Sequence, residues 1–365
     1  MKQEIPTEPE ALQMVCGDVI RTAPLTFQLA PQEKLAGLFL SDALLQASWE
    51  SKTVDFAVEY RRLSTPLQFQ DALLRIQAAS CPEGVLPLLI VPYLKPEQLQ
   101  LLDERGVSGI DLCGNMAVTV AGQLKVFRCG QVNQFRNTSA IKNIYRGRTS
   151  LVARSFALQD AFDQVQDIRE EIIRRDVWAS QSQSTPIGLS TVSKALKTLE
   201  NDLLVSRDAK QIRVLQRDQL LKRLIAGAQD IERPKSLRLK VNFGESSLAE
   251  VIAENLVSWS GPVVATGLCS ANRYTTMQRG PVIEMYGSDI DELATRFGGE
   301  QVNRFENLIL IESKNETDYF DARTADGFPW ASPLQCYIEL MGGDKRDKET
   351  AVQVLDLLAK SEDLL

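Results

Sequence analysis

Three observations predict a multidomain chain of the α/β and α+β classes. Strand-like and helix-like stretches alternate between residues 39 and 120. Ser184 to Val214, STPIGLSTVSKALKTLENDLLVSRDAKQIRV, has the layout of a helix-turn-helix followed by a two-stranded wing. Beyond Arg233-Pro234 strands and helices alternate again. At 365 residues with 44% hydrophobic content, the chain is long enough for two or three domains with a core each.

The first ~20 residues are polar and acidic, with two prolines, and predict a loose arm or a short docking helix. Phe39 to Trp49, the polar turn Glu50-Ser51-Lys52 and Thr53 to Arg61, with its alternating VDFAVEY, predict a hairpin. Pro66 to Ala79 has helical spacing. Val85 to Val91 is a continuous apolar run suited to a buried strand, and Pro96 to Arg105 is helical again. Gly106 to Val120 predicts a strand, a glycine turn and another strand. Residues 130–145, rich in Asn and Gln, form a connector.

In the middle of the chain, Leu151 to Leu158 and Val165 to Arg175 predict two helices, with Gln181 to Gly188 as the turn that follows. Thr191 to Asn201 reads as one helix. Val192, Ala195, Leu196 and Leu199 recur at three- and four-residue spacing, which leaves Thr191, Ser193, Lys194 and Lys197 on a polar, basic face. Ser190 is the predicted N-cap. Leu203-Leu204-Val205 and Ile212-Arg213-Val214 flank the turn Asp208-Ala209-Lys210, so Arg207, Lys210 and Arg213 tip the wing. Arg217 to Ala228 leaves the wing as a helix. The last part is predicted as strands at Leu237 to Phe243, Val263 to Thr266, Val282 to Tyr286 and Asn307 to Glu312, with helices at Ser246 to Ser258 and Lys348 to Lys360. The expected division is therefore 1–139, 140–232 and 233–365.

Composition narrows the chemistry. The chain contains no histidine, which removes Ser-His-Asp and Cys-His catalysis and His-ligated zinc. The six cysteines are scattered without a C-x-x-C pair, so neither a zinc site nor a disulfide framework is expected. No apolar run is long enough to cross a bilayer, and the acidic start MKQEIPTEPE lacks the features of a secretory leader; a cytoplasmic protein with no membrane partner is expected. The net charge of −7 is uneven: −3 over residues 1–139, +5 over 140–228 and −9 over 229–365. A polyanion would land on the middle third, because sequence-independent affinity for nucleic acid comes from Lys and Arg neutralising phosphates. If the Thr191 to Asn201 helix enters a major groove, Ser190, Thr191, Ser193, Lys194 and Lys197 reach base edges or phosphates. The alternative is an amphipathic core helix with solvated lysines.

Asp42 and Glu59-Tyr60-Arg61 lie near the ends of the predicted hairpin strands, and Glu59 and Arg61 point to one face. Two carboxylates beside a cation can hold a divalent ion and a scissile phosphate. On these residues, roughly residues 30 to 125 resemble the PD-(D/E)XK nuclease superfamily, with Asp42 as its first acid, Glu59 as its second and Arg61 where the family has lysine. The resemblance implies a nuclease-like α/β domain. Were its site active it would be a magnesium-dependent endonuclease with Asp42 and Glu59 as metal ligands; otherwise no cofactor is expected. A guanidinium stays protonated and planar, so it stabilises phosphate charge but does not replace a lysine that orients or activates water. The alternative is an ion pair on a sheet face. Gln77, Asp111 and Asn115 are candidates to border such a site, but Asp111-Leu112-Cys113-Gly114-Asn115 is equally well explained as a tight turn between strands, because Gly and Asn tolerate left-handed backbone angles, and the turn is the favoured reading.

The succession YRGRTSLVARSFAL, GLSTVSKALKTLENDLLV, VVATGLCSANRY and ASPLQCYIELMGGDKRDKETAVQVL is similar to helix-turn-helix proteins grouped with the AbiEi-family antitoxins of type IV toxin–antitoxin systems. This resemblance implies a DNA-binding autorepressor, a homodimer on double-stranded DNA, and a toxin protein as partner of the C-terminal domain. The chain departs from the simplest antitoxins, which place the winged helix first. In the C-terminal part, Thr266-Gly267 and Arg273-Tyr274 are candidate pocket residues, and Asp318, Asp321 and Asp326 are a candidate acidic cluster; an acidic surface on a folding or dimerisation domain is the favoured reading of both.

Overall fold

In the structure, a computed structural model, residues 4–17, 19–30, 43–78, 81–135, 143–182, 184–228, 235–242, 244–276 and 282–360 are described. The chain divides into two compact units, Met1–Ala140 and Ile141–Leu365, and both mix helices with sheets.

In the first unit the chain runs α1 (Glu8–Cys16), β1 (Thr26–Leu29), β2 (Ala43–Trp49), β3 (Lys52–Tyr60), α2 (Pro66–Ala78), β4 (Val85–Val91), α3 (Pro96–Glu104), β5 (Ser108–Asp111), β6 (Met116–Val120) and β7 (Leu124–Arg128). The seven strands pair in chain order. β4 lies parallel to both β3 and β5, and the other pairs are antiparallel. β2 turns into β3 through two residues, since Trp49 pairs with Lys52, and Glu50 takes the left-handed backbone that such turns need. The two parallel pairs require crossovers, and α2 and α3 supply them on one face. There Phe69, Leu73, Ile76, Leu99 and Leu102 pack on Leu89, Val91 and Ala117. The alternate residues Leu88 and Ile90 face the other way, into a core with Phe27, Leu45, Phe56 and Val58. Ala11, Leu12 and Val15 of α1 close that side, so the N-terminal segment docks as a helix over residues 8–16.

In the second unit the chain begins with α4 (Ser150–Leu158), β8 (Ala161–Phe162), α5 (Val165–Arg175), α6 (Val177–Ser182), α7 (Leu189–Asn201), β9 (Val205–Arg207), β10 (Ile212–Val214) and α8 (Arg217–Ala228). It continues with β11 (Ser236–Lys240), α9 (Leu248–Leu256), β12 (Val263–Ala265), α10 (Gly267–Tyr274), β13 (Ile283–Gly287), α11 (Ile290–Arg296), β14 (Glu300–Gln301) and β15 (Leu308–Glu312). α12 (Glu316–Tyr319), β16 (Arg323–Ala325), β17 (Phe328–Trp330), α13 (Pro333–Gly342) and α14 (Lys345–Lys360) complete it. β8, β10 and β9 form a small antiparallel sheet in that order. A second sheet has the order β12-β13-β15-β11-β14, parallel only between β13 and β15.

The expected boundary at 232/233 does not separate two units. α13 and α14 bring Leu334, Tyr337, Ile338, Ala351, Val354 and Leu358 into the core built by Leu151, Phe156, Ile168, Leu196, Leu220 and Leu224. α4 is buried over Ser150–Ala157, the polar Ser150, Arg154 and Ser155 included, so it is covered on all sides, and Arg154 takes its partner from α13. Leu239, Ile252, Met285, Leu293, Leu308 and Leu310 form a separate core around the five-stranded sheet. No helix of the described residues is long and apolar enough to cross a membrane.

Candidate nucleic-acid interface

α7 buries Val192, Ala195, Leu196 and Leu199 and turns Ser190, Ser193, Lys194 and Lys197 outward, with Thr191 half-buried at the margin. Lys194 and Lys197 stand about one turn apart on the same side. Neither has an ion pair among the described residues, so their charge is available to a ligand. The N-cap is Gly188 rather than Ser190. The helix starts two residues earlier than its apolar period indicates, because the Gly188 carbonyl already accepts from the N–H groups of Thr191 (2.9 Å) and Val192 (3.2 Å). Ser190 thus sits in the first turn with its side chain exposed. At the other end Leu203 adopts φ 58° and the Leu204 N–H donates to the Leu199 carbonyl at 3.0 Å. That geometry stops a helix abruptly; glycine usually takes this position, and burial of Leu204 holds it here.

The β9–β10 hairpin follows at once. Asp208 closes its tip by accepting from the N–H groups of Lys210 (2.8 Å) and Gln211 (2.9 Å), and these bonds, with the Arg213 guanidinium nearby, hold its carboxyl below the usual range. Arg213 reaches back across the hairpin to Asp208 at 3.1 Å. Of the three wing cations expected from sequence, Arg207 and Lys210 are therefore exposed with no ion pair among the described residues, and Arg213 is partly neutralised.

Two other arginines serve this surface by holding backbone. The Arg169 Nε donates to the Ile187 carbonyl at 3.0 Å, and Arg148 donates to the Thr185 carbonyl while its Nε lies 3.3 Å from Glu316 of α12. Sequence reasoning counted them only as local positive charge. A second group it missed runs through the shared core. Arg154 of α4 donates to Gln335 of α13 at 2.9 Å, Gln335 donates to Glu339 at 2.8 Å, and Glu339 accepts from the Leu268 N–H at 3.1 Å. Burial pushes the Glu339 carboxyl up to about 7.

In the first unit, Asp42 lies outside the described residues. Glu59 and Arg61 share a face of β3 and its extension and meet at 2.5 Å. Arg61 also reaches Asp71 of α2 at 3.1 Å, and Asp71 pairs with Arg75, again at 3.1 Å. Sequence spacing did not indicate Asp71, because the α2 crossover brings it back over the end of β3. The guanidinium of Arg61 thus stands against Glu59 where a metal ligand would need an open carboxylate. Among the described residues there is no group of three His, Cys, Asp or Glu side chains that could hold a metal ion, and of the expected pair only Glu59 falls within them.

Asp111 and Asn115 form a buried turn. Asp111 accepts from the N–H groups of Leu94 (2.9 Å), Cys113 (2.9 Å) and Asn115 (2.8 Å) and from Asn115 Nδ2 (2.6 Å). Burial pushes its carboxyl up and those bonds hold it back.

The C-terminal candidates separate. Thr266 caps α10 by accepting from the Cys269 N–H at 3.1 Å. Gly267 is pressed onto α13, where a Cβ would lie 2.8 Å from the Gln335 carbonyl oxygen and 2.9 Å from the Cys336 Cα, and the Tyr274 hydroxyl donates to Ala331 at 2.6 Å, so Thr266, Gly267 and Tyr274 serve packing and capping, while Arg273 is exposed. Asp318 is half-buried and accepts from the Ser313 hydroxyl, Asp321 pairs with Arg175, and Asp326 is exposed in a turn. They do not form one acidic cluster. No protein-family model, no curated protein and no solved structure matches the chain.

Proposed function

We propose that α4 to α8 form a winged helix-turn-helix that binds duplex DNA, with α7 in the major groove and the β9–β10 hairpin as the wing. One observation carries this reading: the order helix, strand, three helices, strand, strand, helix, with β10 between β8 and β9, in which the exposed hydroxyls and lysines of α7 are followed directly by a hairpin with exposed cations. The concentration of positive charge in residues 140–228 supports it. The protein then acts as a transcriptional regulator of the antitoxin-like kind, working as a homodimer on paired half-sites and answering to a toxin protein.

The test is fluorescence anisotropy with duplex DNA over a salt series. Binding weakens log-linearly with salt, and Lys210→Ala costs about fivefold near 0.15 M salt and lowers the slope by about 0.9, the signature of one lost phosphate contact. Binding that ignores salt would sink the proposal.

A second reading, a metal-dependent endonuclease with Asp42, Glu59 and Arg61, is favoured by one observation: β3, crossing through α2 into parallel β4, carries Glu59 and Arg61 on one face, as a degenerate nuclease core would. Because Arg61 already neutralises Glu59, supercoiled plasmid incubated with Mg²⁺ or Mn²⁺ is expected to stay intact. Metal-dependent nicking that disappears in Asp42→Ala and Glu59→Ala would establish the enzyme instead.

A further inference from the structure

In a simple helix-turn-helix the two helices are joined by a turn of three or four residues. Here α5 ends at Arg175 and α7 starts at Leu189, and the residues between them include a helix of their own, α6. This connector is built into the C-terminal part of the unit. Val177 and Trp178 pack against Val264, Tyr319 and Ala331, with the Trp178 and Tyr319 rings 5.1 Å apart. Asp176 pairs with Phe320 in a β-bridge, and the Asp321 N–H donates to the Arg175 carbonyl at 2.9 Å.

Two carboxylates tie it further. Asp321 meets the buried Arg175 at 2.8 Å, and Arg175 also holds Glu171 at 2.5 Å. Glu316 meets Arg148 at 3.3 Å, and Arg148 in turn holds the Thr185 carbonyl, four residues before α7. Burial pushes the Glu316 carboxyl up, Arg148 opposes the shift and Asp176 adds to it, as expected for an acid enclosed in this junction.

We infer that Glu316 and Asp321 are positioning residues for DNA binding: through Arg148 and Arg175 the acidic C-terminal part sets the entry of α7. This inference rests on the winged-helix reading above. It has a consequence opposite in sign to simple electrostatics. Removing a negative charge from a protein that binds a polyanion should tighten binding. Removing these two charges loosens it, because α7 loses its register against the groove.

The experiment compares Glu316→Gln and Asp321→Asn with Asp326→Asn, which removes an exposed charge from the same stretch without touching the connector. Asparagine tolerates the left-handed backbone at 321, where φ is 57°. Two readouts are taken: affinity for a duplex selected from a random pool by the wild-type protein, and hydrogen exchange at the Thr191 and Val192 amides, which both bond to the Gly188 carbonyl. Expected are an affinity about tenfold lower for each junction variant with the salt slope unchanged, faster exchange at both amides, and no loss in Asp326→Asn. Unchanged exchange overturns the inference whether or not DNA is bound, and so does unchanged or tighter binding. Failure of the DNA-binding reading looks different: the wild-type protein selects no duplex and Lys197→Ala changes nothing.

Discussion

Replacing Lys194 and Lys197 together by alanine lowers the affinity for duplex DNA about thirtyfold near 0.15 M salt and reduces the salt slope by about 1.8. Both lysines lie on the outward side of α7, and neither has an ion pair among the described residues that the substitution would break. Alanine is at least as good a helix former, so the melting transition is expected to move by no more than about 0.5 kcal/mol of stability. The same substitution at Arg213 costs less, because part of its charge is already spent on Asp208. Anisotropy titrations at several salt concentrations, with a circular dichroism melt of each variant, separate lost contact from lost fold. An unchanged slope in the double variant would mean that α7 does not meet phosphates, and the DNA-binding proposal would fall with it.

The largest loss of stability is expected at Asp111. Its carboxylate is fully buried and receives four hydrogen bonds, three of them from backbone N–H groups that have no water to turn to. Asp111→Ala leaves those donors unsatisfied and costs about 3–5 kcal/mol, which lowers the midpoint of thermal unfolding by roughly 10 °C or more. Asp111→Asn keeps one acceptor oxygen but sets an NH₂ against some of the same donors, so its loss is smaller yet still measurable. Chemical denaturation followed by circular dichroism checks it: a melt left nearly unchanged by Asp111→Ala would mean that these bonds do not hold the turn.

Much of the fold was legible because it rests on short-range patterns. The β2–β3 hairpin, α2, β4, α3 and α7 follow from apolar periods that a few neighbouring residues spell out. The edge strands β1 and β7 were not anticipated: β1 is four residues long and buries only Phe27, and β7 alternates between half-buried and exposed positions with none buried, so neither carries a strong apolar signal. α10, α11, α12 and α13 were also missed. Gly267 at the start of α10 lowers helix propensity, yet the close approach of α13 requires it.

The candidate interface divides in the same way. Its outward residues, Ser193, Lys194, Lys197, Arg207 and Lys210, were readable because helix and hairpin periods say which side chains face out. The loss of Ser190 as N-cap, the tie between Arg213 and Asp208, and the chain from Glu59 through Arg61 to Asp71 depend on which backbone and side-chain partners come within reach.

By itself, then, the sequence determined the mixed α/β class, the basic middle third and the amphipathic helix with its hairpin, since those follow from composition and from contacts between near neighbours. Only the tertiary structure decided that residues 141–365 form one unit, and that the turn into α7 is held from the C-terminal side. The physical reason is distance along the chain. Arg175 and Asp321 are 146 residues apart, and Arg154 and Gln335 are 181 apart. No local period encodes such pairs, which form only when α12 and α13 fold back onto α4 and α5.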